Sequence, residues 1–449
     1  MDLPGLQHDE SASNTASVSI VHLHPRSEWR FEVGLSSSLS VKLLNGTAEI
    51  FGTELITGQT YSFRATKLCI YTWYGCSIEW SGEALAEYTS DESAMHVFAN
   101  LHFALEKMRA QAGDQAGPRV LIVGPRSSGK TSLAKILTAY AAKMRRAPIA
   151  VSLDPKDNML SLPGSLSAAS FSTMIDVEDL DTWGSSATTG PMHIPPKYPI
   201  VYYYGSDSPA DNPRYYKSLL FRLSQAVASR MSLDRDARSS GTIIDTATIS
   251  DQKLSYDLID SIVNDFSVSV VVSVGNERLY NDLLKRFSSR PVPITVVKVQ
   301  RSPGVVEIDD SYGRSIQQRM FKQYFYGPEK MNLSAFTITA DITAITVYRR
   351  SEQSHLVGSS TLPIGTDESI VAPTLITKME VSAALQNTIL AVLFATSEDS
   401  ESDIAEASVM GFVHVLDVDE TKKKMKILMP IKTRLPARVL MMGNYQFLE

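Results

Sequence analysis

The segment Gly124-Pro-Arg-Ser-Ser-Gly129-Lys130-Thr131 has the spacing G-x-x-x-x-G-K-[ST]. Glycines at its two ends let the backbone turn so that successive N–H groups converge on one anion. Lys130 adds a cation beside that anion. The Thr131 hydroxyl is a hard oxygen ligand of the kind Mg²⁺ accepts. Together these groups hold the phosphate tail of a purine nucleoside triphosphate such as ATP. The expected contact set is Gly124, Ser127, Ser128, Gly129, Lys130, Thr131 and Ser132, with Thr131 on the metal.

The flanking residues are of the kind such a loop needs. An apolar strand, Val120 to Val123, runs into it. A helix with Leu133, Ile136, Leu137 and Tyr140 on one face leaves it. The start of that helix adds the positive end of its dipole to the anion site. Pro148 to Leu153 then forms a second apolar strand, so the order is that of a βαβ unit with a parallel sheet. Thr242–Asp245, Val268–Val274 and Ile294–Val299 suit further central strands, separated by helices over Tyr215–Met231 and Leu254–Phe266. Two carboxylates end strands, Asp154 and Asp245. Asp154 directly follows the strand after the loop's helix, which makes it the preferred second metal ligand.

The flanks read differently. Residues 1–17 are polar and acidic and are expected to be a disordered tail. From Val18 to about Tyr88 the period is two: Trp29, Phe31 and Val33, then Leu39, Val41 and Leu43, then a turn at Asn45-Gly46. A helix follows over His96–Gln111, and residues 160–213 are expected to form long loops. From about Asn332 the β pattern returns. The expected fold class is α/β: a central P-loop domain (101–330) between an N-terminal β-sandwich (18–100) and a C-terminal mixed α/β domain (331–449).

Composition narrows the function classes. The chain has 449 residues, 43% hydrophobic and 20% charged, which are globular values for several domains. A net charge of −6 supplies no global field toward nucleic acid. Two cysteines, Cys69 and Cys76, argue against a disulfide framework. No apolar run suggests a signal peptide or a membrane span, so an intracellular, soluble protein is expected.

The order of several segments carries a resemblance. Glu28-Trp-Arg-Phe-Glu-Val33, Gly46 to Leu55 and Tyr71 to Cys76 precede the loop. Leu153-Asp-Pro, Ser161-Leu-Pro-Gly164, Glu277-Arg-Leu-Tyr280 and Tyr324-Phe-Tyr-Gly327 follow it. From about residue 18 onward the chain resembles the Clp-type subunit of the eukaryotic pre-mRNA cleavage and polyadenylation machinery, within the polynucleotide 5′-hydroxyl kinase family. The resemblance implies a nuclear cleavage-factor subunit that binds ATP and Mg²⁺ and uses Glu28 and Lys67 to hold the base. It also implies a partner: the scaffold subunit that reads the C-terminal domain of RNA polymerase II. Contact with other 3′-end processing factors is implied too, and with pre-mRNA only indirectly.

The same resemblance exposes departures. Active family members carry Asp-x-x-Gln after the second strand; here it reads Asp154-Pro-Lys-Asp157. Their Thr-x-Gly-Trp/Asn clasp for the RNA end reads Thr246-Ala-Thr-Ile249. Around their arginine-bearing lid this chain keeps Arg314 and Arg319. Phosphoryl transfer depends on positioning and on charge stabilisation, so an added carboxylate and a lost clasp both oppose it. The expectation is a catalytically inactive, fungal-like scaffold, with Asp154 the catalytic candidate if it is active. An active RNA 5′-hydroxyl kinase and an ATP-hydrolysing assembly switch are the alternatives. Partner contacts are expected on the central domain, from Ile194-Pro-Pro-Lys197 or from Tyr202–Tyr204. Those tyrosines read equally as a strand half in the core, and the run Lys422 to Lys426 reads as a solvated turn more readily than as an RNA contact.

Overall fold

The structure is a computed structural model that describes residues 18–173, 175–179, 199–249, 251–328, 333–351 and 375–448. The expected tail at 1–17 and the segment Ile194–Lys197 lie outside the described residues. Two compact units are present, residues 18–50 with 54–93, and residues 51–53 with 94–448.

The first unit is the expected β-sandwich. Its strands are β1 (Ser19–Leu23), β2 (Glu28–Gly46), β3 (Glu49–Ile50), β4 (Thr53–Glu54), β5 (Thr60–Tyr71), β6 (Cys76–Gly82) and β7 (Ala86–Ser90). They run in the order β1-β6-β2-β5-β3-β4, with β7 on the first half of β2. Alternation decides the two faces. Trp29, Phe31, Val33, Leu39, Val41 and Leu43 are all buried. The Trp29 ring meets Phe31 at 4.7 Å and Trp80 at 5.7 Å between centroids, and its Nε1 donates to Glu87 at 2.6 Å.

In the second unit, α1 (Met95–Ala112) leads to β8 (Arg119–Val123), α2 (Lys130–Lys143), β9 (Ile149–Leu153), β10 (Ser165–Ser170) and β11 (Ile200–Tyr203). Then come α3 (Pro213–Leu233), α4 (Arg235–Ser240), β12 (Thr242–Thr246), α5 (Gln252–Asp265), β13 (Val270–Val274), α6 (Glu277–Ser288), β14 (Thr295–Val299) and α7 (Asp310–Tyr326). The sheet order is β11-β10-β9-β12-β8-β13-β14. β9, β12, β8, β13 and β14 are parallel, as the βαβ pattern requires. Helices flanking a parallel sheet explain why β8, β9, β12 and β13 are almost wholly buried.

The boundary expected after residue 100 moves. It would cut α1, whose Leu101 and Leu105 are buried and which packs with α2 in the second unit. The long loops expected over 160–213 contain two strands, β10 and β11, which extend the sheet in antiparallel fashion.

The C-terminal part contains β15 (Phe336–Asp341), β16 (Val347–Arg350), β17 (Ile376–Met379), β18 (Thr388–Leu393), α8 (Glu401–Ala405), β19 (Val409–Asp419), β20 (Lys424–Met429) and β21 (Leu440–Gln446). Its sheet order is β15-β20-β19-β18-β21-β16-β17. It carries less helix than the mixed domain expected: α8, of five residues, is its one α-helix among the described residues. Its core is continuous with the central one. Phe412, Tyr445 and Phe447 share a cluster with Leu153, Tyr203 and Phe321. That cluster also settles Tyr202–Tyr204, which are 8%, 2% and 1% exposed and therefore core residues rather than surface anchors. Among the described residues no helix is long and apolar enough to cross a membrane.

Candidate functional site: a phosphate cradle at the head of a parallel sheet

β8 delivers the chain to Gly124. A Cβ there would lie 2.7 Å from Val274 O and 2.8 Å from Ser128 Oγ, so glycine is required by space. Ser127 sits at φ 51° and Gly129 at φ 89°, both left-handed, which curls the loop before α2 begins at Lys130. A Cβ on Gly129 would also meet Val305 Cγ2 at 3.0 Å. The α2 amides therefore start at the loop, which is the arrangement that binds anions.

The side chains converge as the motif demands. Lys130 is 7% exposed, and its Nζ donates to Pro125 O at 3.1 Å and to Thr248 Oγ1 at 2.7 Å. Thr131 Oγ1 donates to Asp245 Oδ2 at 2.6 Å. The other oxygen of that carboxylate, Asp245 Oδ1, is buried with no hydrogen-bond partner, and so is Ser128 Oγ. Two orphaned buried oxygens beside a lysine and a loop of amides are what a bound phosphate with a divalent ion would satisfy.

The strand order brings Asp245 to the Thr131 hydroxyl, beside Asp154, the carboxylate the sequence reading preferred. β12 lies directly beside β8, with Asp245 opposite Ile122, whereas β9 is one strand further out. Asp154 Oδ1 accepts from the Lys156 amide at 3.0 Å. Burial, with the nearby Asp157 charge, pushes the Asp154 carboxyl up to about 6. Burial pushes Asp245 up to about 7, against the pull of Lys130 and the Thr131 hydrogen bond. Asp157 is exposed, yet its charge raises both carboxyls. The site thus has more negative charge than Lys130 balances, a setting that favours a divalent cation.

Other residues escaped the sequence reading. Thr248, from the altered clasp segment, holds Lys130. Asp310, at the start of α7, receives Arg126 of the loop at 2.8 Å and Lys156 at 3.1 Å, and those two cations hold its carboxyl below the usual range. Arg314 is exposed and Arg319 half-buried. Beyond Gly124 a cavity of about 520 Å³ opens between Thr246–Ile249, Tyr256 and Arg278.

Glu28 and Lys67 lie in the first unit, on the sheet face opposite Trp29. Glu28 is 2% exposed; it accepts from Arg30 Nε at 2.6 Å and from Ser93 at 2.7 Å. Lys67 pairs with Glu32 at 3.0 Å, directly across the β2–β5 ladder.

The loop bearing Asp154 is braced from the C-terminal sheet. The Tyr445 hydroxyl donates to Asp207 at 2.6 Å and lies 3.4 Å from Pro155 O. Tyr445→Phe keeps the ring and removes both contacts. It is expected to cost about 1–2 kcal/mol and lower the thermal midpoint by about 2–4 °C, read by scanning calorimetry.

A parallel sheet with this loop, lysine and threonine defines a P-loop domain. Comparison with known proteins specifies it further. Residues 22–112 match the N-terminal beta-sandwich domain of polyadenylation factor, residues 124–327 the mRNA cleavage and polyadenylation factor CLP1 P-loop, and residues 333–449 the Pre-mRNA cleavage complex II protein Clp1. The mRNA cleavage and polyadenylation factor clp1 of Botryotinia fuckeliana is 45% identical, over 99% of this chain and 98% of its own. That of Yarrowia lipolytica is 38% identical over the whole of both. A solved wild-type Clp1p–Pcf11p complex aligns with TM-score 0.87 at 28% identity, covering 97% of this chain and 99% of that one. A second solved structure, at the same TM-score and identity, describes an extended Pcf11p–Clp1p interface and ATP loss in a glycine-to-arginine point mutant. The chain belongs to the Clp1 family of mRNA cleavage and polyadenylation factors.

Proposed function

We propose that this chain holds ATP·Mg²⁺ as a structural ligand and bridges subunits of a nuclear pre-mRNA 3′-end cleavage and polyadenylation factor, without efficient kinase activity. The observation that carries the nucleotide part is the Thr131–Asp245 pair with its orphaned Oδ1, next to Lys130 and the loop amides. Mg²⁺, when bound, neutralises phosphate charge. Thr131 and Asp245 would hold it, with Asp154 within reach of the same charge. Among the described residues no cluster of three or more His, Cys, Asp or Glu forms a metal cage of its own, which suits an ion that shares phosphate oxygens. Base recognition by Glu28 and Lys67 rests on the family resemblance alone. The partner is a Pcf11-type scaffold, by analogy with the solved complexes. A ligand at a thousand times its dissociation constant adds about 4 kcal/mol to native stability, which suits a scaffold role.

The cavity beyond Gly124 keeps the kinase reading in play, because an acceptor end needs such a space beside the phosphates. The two separate in one assay. Purified protein is incubated with γ-labelled ATP and a 5′-hydroxyl oligoribonucleotide, and its retained nucleotide is extracted. The scaffold reading expects intact ATP and an unlabelled RNA end. Efficient end-labelling, or recovery of ADP alone, would sink it.

A further inference from the structure

β15 is the end strand of the C-terminal sheet. It pairs with β20 and with no other described strand. Its residues alternate. Phe336, Ile338 and Ala340 are half-buried, while Thr337, Thr339 and Asp341 are exposed. A strand edge with unpaired backbone groups is a template for another strand. After β20 the chain returns past the same strand, and between β15 and Lys432–Leu435 it leaves a cavity of about 530 Å³. The floor is apolar: Ile338, Ala340 and Leu435 pack on the core of this sheet.

Charge distinguishes the rim. Three lysines of the Lys422–Lys426 run face aspartates: Lys422 with Asp419 across the turn at 3.3 Å, and, across strand pairs, Lys424 with Asp341 at 3.7 Å and Lys426 with Asp417 at 3.9 Å. Lys432 and Arg434 differ. Both are exposed, and among the described residues neither enters an ion pair. Lys432 Nζ lies 5.6 Å from the Phe336 ring centroid, over the rim of the cavity.

We propose that the groove between β15 and Lys432–Leu435 docks an extended segment of a partner protein in which acidic and apolar residues alternate, paired to the edge of β15 that no described strand occupies. Alternation follows from the site. Side chains of an added strand point to opposite sides. One set enters the apolar cavity, and carboxylates of the other meet Lys432 and Arg434. A nucleic acid fits less well. Two cations are few for a phosphate backbone, the chain is net negative, and the lone aromatic face is already covered by Lys432. This surface is independent of the nucleotide reading.

The test uses the full chain and fluorescence anisotropy. The probe is a short labelled peptide of alternating glutamate and valine. Controls are its lysine–valine counterpart, an N-methylated version that cannot donate along one edge, and a short oligouridylate. Exchanging both cations, K432E with R434E, is expected to weaken the acidic peptide at least about tenfold and to make the lysine–valine peptide the better ligand. N-methylation is expected to cost a similar factor with the charges unchanged. Thermal midpoint and ATP affinity of the variant should match the wild type, which shows that it folds. No binding of the acidic peptide, binding indifferent to charge reversal or to N-methylation, or displacement by oligouridylate at lower concentration would each overturn the proposal.

Discussion

Lys130→Met is expected to weaken ATP binding by on the order of 10²–10³-fold, equivalent to about 3–4 kcal/mol. The lysine stem is enclosed, so methionine replaces its volume with little disturbance of α2. What disappears is the charge. Lys130 supports the loop by donating to Pro125 O and Thr248 Oγ1, and it lowers the pKa of both Asp154 and Asp245. Without it, the two acceptors and two carboxyls face one another, and any incoming phosphate meets uncompensated negative charge. Lys130→Arg is expected to fail as well. The guanidinium keeps the charge but needs a wider, planar slot than this buried one. Isothermal titration with Mg·ATP, together with extraction of co-purified nucleotide, reads the effect. Affinity within tenfold of wild type in the methionine variant would mean that the loop amides alone carry the ligand.

The loop was legible because its chemistry is local. Eight consecutive residues carry the turn, the cation and the hydroxyl, and the apolar runs on either side announce strand and helix. The carboxylate that accepts from Thr131 was not legible in the same way. Asp154 and Asp245 both end apolar strands, and sequence proximity favours Asp154. The spatial neighbour of β8 is β12, a strand more than a hundred residues further on, and that order depends on helix crossovers that no single segment displays. Thr248 was hidden for a related reason. As part of a degraded clasp it read as a loss, whereas in the fold its hydroxyl holds the lysine. Tyr202–Tyr204 had two readings because the aromatic run suits an interface and a strand equally. The deciding contacts come from afar: Phe412 lies 5.6 Å from Tyr203, and the Tyr215 hydroxyl donates to Tyr203 O. The β-sandwich, with its period of two over Trp29–Leu43, needed no such long-range knowledge. The C-terminal part was read as a mixed domain with a β pattern and no strand order, since that order joins β18 to β21 and β16 to β21 across long separations.

Asp245→Asn is expected to separate folding stability from ligand binding, with opposite signs. The Asp245 carboxyl titrates near 7 in the fold against 3.8 as its ordinary value. Between those values the native state keeps a proton that the unfolded chain has released. The group's contribution is therefore fully present below about pH 3.8 and is lost as the pH rises through about 7. Above that the empty site carries a buried carboxylate whose only compensation is Lys130 and the Thr131 hydroxyl. Asparagine mimics the protonated form at every pH. The nucleotide-free variant should therefore melt higher than nucleotide-free wild type at pH 8, and the gap should close as the pH falls toward 5. With Mg·ATP the order should reverse. The variant lacks the charged oxygen proposed to hold the cation, so the ligand-induced rise in midpoint should be largely lost, with affinity down at least about tenfold. Thermal scans at several pH values, with and without Mg·ATP, read both signs. A variant that is less stable when empty at pH 8 would show that the carboxylate is held by interactions stronger than its burial. One stabilised by Mg·ATP as much as wild type would move the metal to Asp154.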